Sequence, residues 1–180
     1  MTSSYSNKLT FGELIKTLVF LINPKKIVEF GILDGYSLTH FIHQSKSSCQ
    51  IEAFDIFDDF NGNHANFNQI MTKFSKFPNV NIQKGDFYKM VHLVPNKSID
   101  ILHVDIANNG DTYEFVFKNY LKKMRKGGII LLEGGSNERD EVYWMKKYNK
   151  RSICEVLEHY NEKLNIHTIQ SFPSMTIIHC

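Results

Sequence analysis

The stretch Ile27-Val28-Glu29-Phe30-Gly31-Ile32-Leu33-Asp34-Gly35-Tyr36-Ser37 decides how this chain is read. A short apolar run ends in a turn holding two glycines, and a helical pattern from Ser37 to Gln44 follows at once. Glycine lets the backbone turn tightly and pass close to a neighbour where a Cβ would collide. The helix N-terminus behind such a turn can hold a carboxylate or another anion. A glycine pair in a strand-to-helix turn also serves packing alone, so the stretch needs its context.

Working outward, Thr10 and Glu13 form a capping box ahead of Phe11, Leu14, Ile15, Leu18 and Ile22, a helical stripe that Asn23-Pro24 stops. Further apolar runs follow at Ile51 to Phe54, Val80 to Ile82, Ile99 to Val104 and Ile129 to Leu132. Between them Ala65 to Phe77, Phe87 to Val94 and Thr112 to Met124 read as helices. Ser136 or Asn137 caps another that carries Val142, Trp144 and Met145. The runs lack polar alternation, as strands covered on both faces do. Such alternation of strand and helix predicts an α/β doubly wound, mostly parallel sheet. Leu164 to Ile169 and Met175 to Ile178, parted by Ser171-Phe172-Pro173-Ser174, read as a closing antiparallel hairpin. Seven strands in one domain over residues 1–180 is the expectation.

Composition narrows the function classes. Hydrophobic residues make up 42% and charged residues 22%, with a formal charge of +2. That charge is too small for a nucleic-acid footprint. The apolar stretch Leu18 to Ile22 is too short for a membrane span or a signal core, so a cytoplasmic protein is expected. Three scattered cysteines, Cys49, Cys154 and Cys180, suit reduced thiols.

In doubly wound sheets ligands sit beyond the carboxyl ends of the strands. Acidic residues recur there: Asp55 after the second run, Asp86 after the third, Asp105 after the fourth and Glu133 after the fifth, with Glu29 inside the first. Asp55 lies 24 residues after Gly31, where a carboxylate would accept bonds from both hydroxyls of a ribose; a strand-end charge or a helix cap is the alternative. Asp86 and Phe87 offer an acceptor and an aromatic face for an adenine, and Asp86 also reads as a plain N-cap. Buried charge is costly unless it meets water or a partner, so this many strand-end carboxylates point to a ligand.

Glu29 to Ser37 resembles the E-x-G-x-x-x-G-Y-S motif of catechol O-methyltransferase-like enzymes. Asp100-Ile101-Leu102-His103-Val104-Asp105, with Thr112-Tyr113-Glu114 and Lys126-Gly127-Gly128, is similar to the pattern of small class I methyltransferases that include sugar and natural-product O-methyltransferases. The resemblance implies that Glu29, Gly31 and Gly35 line the methionine part of S-adenosylmethionine (SAM) and that Ser37 binds its carboxylate. It further implies that Asp55 holds the ribose, that Ile56, Asp86 and Phe87 form the adenine pocket, and that Asp105 sits near the sulfonium. A field of carboxylates suits a cationic cofactor better than a pyrophosphate.

Two departures bear on catalysis. Metal-dependent members follow the fifth strand with an Asp-Asn pair, and here Glu133-Gly134 stands in that place. No metal is expected, with Asp105 and Glu133 kept as the alternative ligand pair. Related sugar-type enzymes often carry a His just before S-Y-E, where this chain has Asp111 and a loop two residues longer. The residues expected in catalysis are Asp111, His103 and Asp105, the last beside the sulfonium, and Asp111 is the first candidate for the base. His103, two residues before Asp105, is either the second or a hydrogen-bonded core residue. The cluster Tyr143, Trp144, Lys146, Lys147 and Tyr148 edges a substrate mouth or forms a solvated helix face.

The expected function is SAM-dependent O-methylation of a small molecule or sugar. No nucleic-acid or membrane partner is expected, and a homodimer is left open. A non-catalytic nucleoside-binding module is the alternative. A nicotinamide-dependent oxidoreductase is disfavoured by the absent G-x-G-x-x-G and by the terminal hairpin.

Overall fold

The computed structural model describes residues 10–59, 63–170 and 172–180. It opens with α1 (Phe11–Ile22), whose N-cap Thr10 accepts a hydrogen bond from the Glu13 N–H and whose C-cap Asn23 takes the left-handed conformation. Then come β1 (Lys26–Phe30), α2 (Tyr36–Gln44), β2 (Gln50–Asp55), α3 (Phe67–Phe74), β3 (Val80–Lys84), α4 (Phe87–Met90), β4 (Ile99–Val104) and α5 (Gly110–Phe115). The long β5 (Met124–Glu133) is followed by α6 (Asn137–Asp140), α7 (Tyr143–Lys147), α8 (Ile153–Tyr160), β6 (Asn165–Ile169) and β7 (Met175–His179).

One seven-stranded sheet runs in the order β3-β2-β1-β4-β5-β7-β6. β1 to β5 pair in parallel, β7 returns antiparallel to β5, and β6 completes the hairpin. Crossover helices cover both faces. On one, Val19 of α1, Leu38 and Phe41 of α2 and Phe74 of α3 pack on Ile27, Ile51 and Ile101. On the other, Phe87, Tyr113, Tyr120 and Val156 pack on Val28, Phe30, Leu102 and Ile130. Each such side chain contributes about 1.5–3 kcal/mol, so burial on two sides explains the unbroken apolar runs.

The helix expected over Thr112 to Met124 starts at Gly110, widens after Phe115 into a π-type turn and then tightens into a 3₁₀ turn. Met124, expected at its end, instead opens β5. The helix expected after Ser136 is two short ones, α6 and α7. α8 was not expected, although Ser152 and Glu155 have the spacing of a capping box and Ser152 Oγ accepts from the Glu155 N–H. Of the expected turn Ser171 to Ser174, Ser171 lies outside the described residues. No helix among the described residues is long and apolar enough to cross a membrane.

Candidate functional site

Parallel strands bring their carboxyl ends to one edge, and three backbone bonds lock those ends together. Gly31 N donates to Phe54 O, Asp105 N to Phe30 O and Gly85 N to Asp55 O, each at 2.9 Å. Gly31 (φ +89°) is required here for a reason other than ligand approach, because a Cβ there would stand 1.9 Å from the backbone oxygen of Asp105. Gly35 (φ +79°) likewise faces the Phe74 ring at 2.6 Å. Both glycines therefore let protein approach protein. Gly31 also lines the cleft that results.

That cleft has a volume of about 530 Å³, within the range of small-molecule sites. Gly31, Asp55, Ile56, Asp86, Phe87 and Asp105 all line it, so six of the nine residues expected to hold the cofactor meet there. Asp86 caps α4 through the Tyr88 N–H at 2.9 Å and lines the cleft at the same time. Phe87 is almost wholly buried, stacked on Tyr120 and edge-on to Phe30. It supports the cleft wall more than it offers a free face.

Glu29, Gly35 and Ser37 are not in the lining. Glu29 is fully buried, and Ser37 Oγ donates to its Oε1. His103 lies opposite Glu29 in the β1–β4 register, and its Nδ1 meets the same oxygen at 2.9 Å. Glu29 Oε2 is buried without a partner. Burial works against a charge on His103, but the hydrogen bond to Glu29 and the charges of Glu29, Asp105 and Glu133 outweigh it and lift the imidazole above its ordinary pKa.

Asp55 is committed to the protein. Oδ2 accepts from the N–H groups of Ile32 (2.7 Å) and Leu33 (3.2 Å), and Oδ1 accepts from the Phe57 N–H (2.7 Å) and Asn63 Nδ2 (2.6 Å). A carboxylate has about four lone-pair directions, and all are used. A ribose hydroxyl would have to displace the Asn63 amide, the one side-chain donor of the four.

Of the three residues expected in catalysis, Asp105 alone lines the cleft. It is open to the cleft yet ringed by protein; this loss of water raises its carboxyl pKa, against the opposing charges of His103 and Arg139. His103 is buried behind Glu29. Asp111 is exposed on the first turn of α5, 3.9 Å from Arg151. It stands outside the lining because its neighbour Asn109 faces the cleft and caps α5, turning the chain away.

Asn109 and Lys150 also line the cleft, and Lys150 is the sole basic residue of its lining among the described residues. Neither carries a signal in the sequence, because each is a polar loop residue until the fold brings it in. Tyr143 and Tyr148 are exposed and outside the cleft lining, with Lys147 over both rings.

The alternative metal pair does not fit a cation. Arg139 donates to both oxygens of Glu133, from Nε at 2.6 Å and Nη2 at 2.9 Å. No group of three His, Cys, Asp or Glu side chains among the described residues is arranged to hold a metal.

A family model described as a methyltransferase domain matches residues 28–133, the span that supplies every strand end around the cleft. Among solved structures, the chain is similar to the O-methyltransferase TomG from Streptomyces achromogenes, involved in tomaymycin synthesis and solved with SAM. The identity is 16% over 96% of this chain and 81% of that one, with a TM-score of 0.71. It is also similar to an O-methyltransferase from Bacillus cereus in complex with SAH (15% identity, 99% and 84% covered, TM-score 0.69). A third is the SAH-bound methyltransferase PaMTH1 from Podospora anserina (16% identity, 93% and 76% covered, TM-score 0.67). No curated protein matches the sequence. At these identities the likeness to solved structures is one of fold.

Proposed function

Because the chain belongs to the methyltransferase domain family, we propose that it transfers a methyl group from SAM to an oxygen of a small molecule or sugar. The observation that carries this reading is the meeting of Gly31, Asp55, Asp86 and Asp105 around one cleft at the carboxyl ends of parallel strands.

The residues present fit the cofactor. Asp86 and the Phe87 wall would take the adenine end, with Asp55 beneath the ribose once Asn63 yields. Glu29 lies outside the lining, and its unpartnered buried oxygen would meet the ammonium of the methionine part only once the glycine turn beside it shifts. When bound, SAM supplies an electrophilic methyl on a sulfonium.

The chain's own work is to hold the acceptor in line and to receive its proton. Alignment of two reactants accounts for roughly 7–11 kcal/mol of such a barrier. Asp105 Oδ is the proton acceptor of this reading, since it lines the cleft and the loss of water around it raises its pKa and so its basicity. Asn109 and Lys150 offer a donor and a positive charge to the acceptor molecule.

Calorimetry with SAM, SAH and NAD tests the reading. SAM and SAH are expected to bind at about micromolar Kd, near −8 kcal/mol, and NAD far more weakly. A preference for NAD would overturn it.

A further inference from the structure

Lys150 follows α7 on a short segment that the fold pins beside the cleft. The Asn149 N–H donates to Lys146 O at 3.1 Å, the Lys150 N–H to Met145 O at 2.9 Å, and Arg151 O accepts from the Gly110 N–H at 2.8 Å. Gly110 opens α5 directly after the cleft residue Asn109. A Cβ on Gly110 would stand 2.4 Å from Ser152 O, so the two segments meet backbone to backbone. Lys150 therefore joins the cleft lining from the β4 side. Asp55 ends β2 and Asp86 follows β3, two and three places from β4 across the sheet.

The basic neighbours of Lys150 are occupied. Lys146 pairs with Glu141 at 2.7 Å, Arg151 pairs with Glu114 at 2.9 Å, and Lys147 lies over the rings of Tyr143 and Tyr148. Among the described residues Lys150 has neither an ion pair nor an aromatic ring, and it is the one of the four that lines the cleft. An ammonium is a strongly hydrated point charge that an anion satisfies. It does not suit the cofactor, because SAM brings a sulfonium and an ammonium that Asp55, Asp86 and Asp105 complement and a lysine would repel. The cleft is thus divided in charge: acidic along β2, β3 and β4, and basic where the segment after α7 closes it. Such complementarity sets which partner is accepted.

We propose that Lys150 selects the acceptor, and that the methylated molecule carries a carboxylate or a phosphate held by the Lys150 ammonium. Lys150 is a specificity-determining residue and takes no part in the chemical step. The proposal rests on the methyltransferase reading for which half of the cleft receives the acceptor.

The test is calorimetry of matched probes on wild type, Lys150→Met and Lys150→Arg, each with and without SAH. Protocatechuate is compared with catechol for the carboxylate, and glucose phosphate with glucose for the phosphate. In wild type one anion is expected to bind about threefold to tenfold more tightly than its neutral partner, between the worth of an exposed ion pair and that of a sheltered charge-assisted bond. The arm with the larger gap names the group. The gap should narrow as salt rises, close in Lys150→Met and persist in Lys150→Arg. Lys150 is exposed, so both variants are expected to fold; should Lys150→Met not fold, the salt dependence in wild type decides. The proposal is overturned if neither anion outbinds its neutral partner in wild type, if the gap ignores salt, or if it survives in Lys150→Met. Wild type without a gap, together with a loss of SAH affinity in Lys150→Met, would hand Lys150 to the cofactor's own carboxylate and overturn it too. SAH that binds none of the proteins would strike the methyltransferase reading, while the gap measured without SAH still shows whether Lys150 holds an anion.

Discussion

Replacing His103 by Leu leaves the Glu29 carboxylate wholly buried with Ser37 as its remaining neighbour, because Oε2 has no partner to begin with. Removing one member of a buried ion pair costs about 3–5 kcal/mol, most of it the stranded charge. For a domain of this size each kcal/mol moves Tm by about 2–4 °C, so a fall of roughly 6–20 °C is expected by thermal or urea unfolding. Glu29→Leu combined with His103→Leu removes both charges and should restore stability to within about 1 kcal/mol of wild type, since an apolar pair there loses no desolvation energy. The sign with pH follows from the raised pKa of His103. A group whose folded pKa exceeds its unfolded value stabilises fully below the unfolded value, near 6.5, and loses that contribution as pH rises through the folded pKa. The wild-type advantage over the double variant should therefore shrink on the alkaline side. A single variant that costs under about 1 kcal/mol, or an advantage that grows with rising pH, would refute the pairing.

Asp105→Asn should lower turnover about 10²–10⁴-fold with SAH affinity nearly intact, as steady-state rates and calorimetry would show once an acceptor is found; full activity would remove Asp105 as the base. Asn63→Ala frees Asp55 Oδ1, and the loss of a competing bond worth about 1 kcal/mol should tighten SAH binding about fivefold. Weaker binding would mean that Asn63 itself holds the ligand. Gly31→Ala forces a Cβ against backbone at positive φ and should cost at least about 3 kcal/mol in urea unfolding, whereas a neutral result would contradict the close β1–β4 approach.

The sequence by itself determined the architecture, since apolar runs without polar alternation, parted by helix-length segments, leave strands covered on both faces as the economical solution. It also placed a carboxylate at nearly every strand end, because position along a strand is a local property. It was silent on what each carboxylate meets. Asp55 turns inward to four protein donors, Glu29 pairs with His103 across a strand register, and Glu133 is taken by Arg139 from the helix after Ser136, where the sequence marks no partner for it. Each partner arrives through tertiary contact, and no spacing encodes it. The same holds for Asp111: a polar residue beside the fourth strand reads as cleft-facing until the Asn109 cap sets the direction in which α5 leaves. Strand ends are written along the chain, whereas the charge balance around them depends on which distant side chain the packed helices deliver, and only the folded sheet decides that.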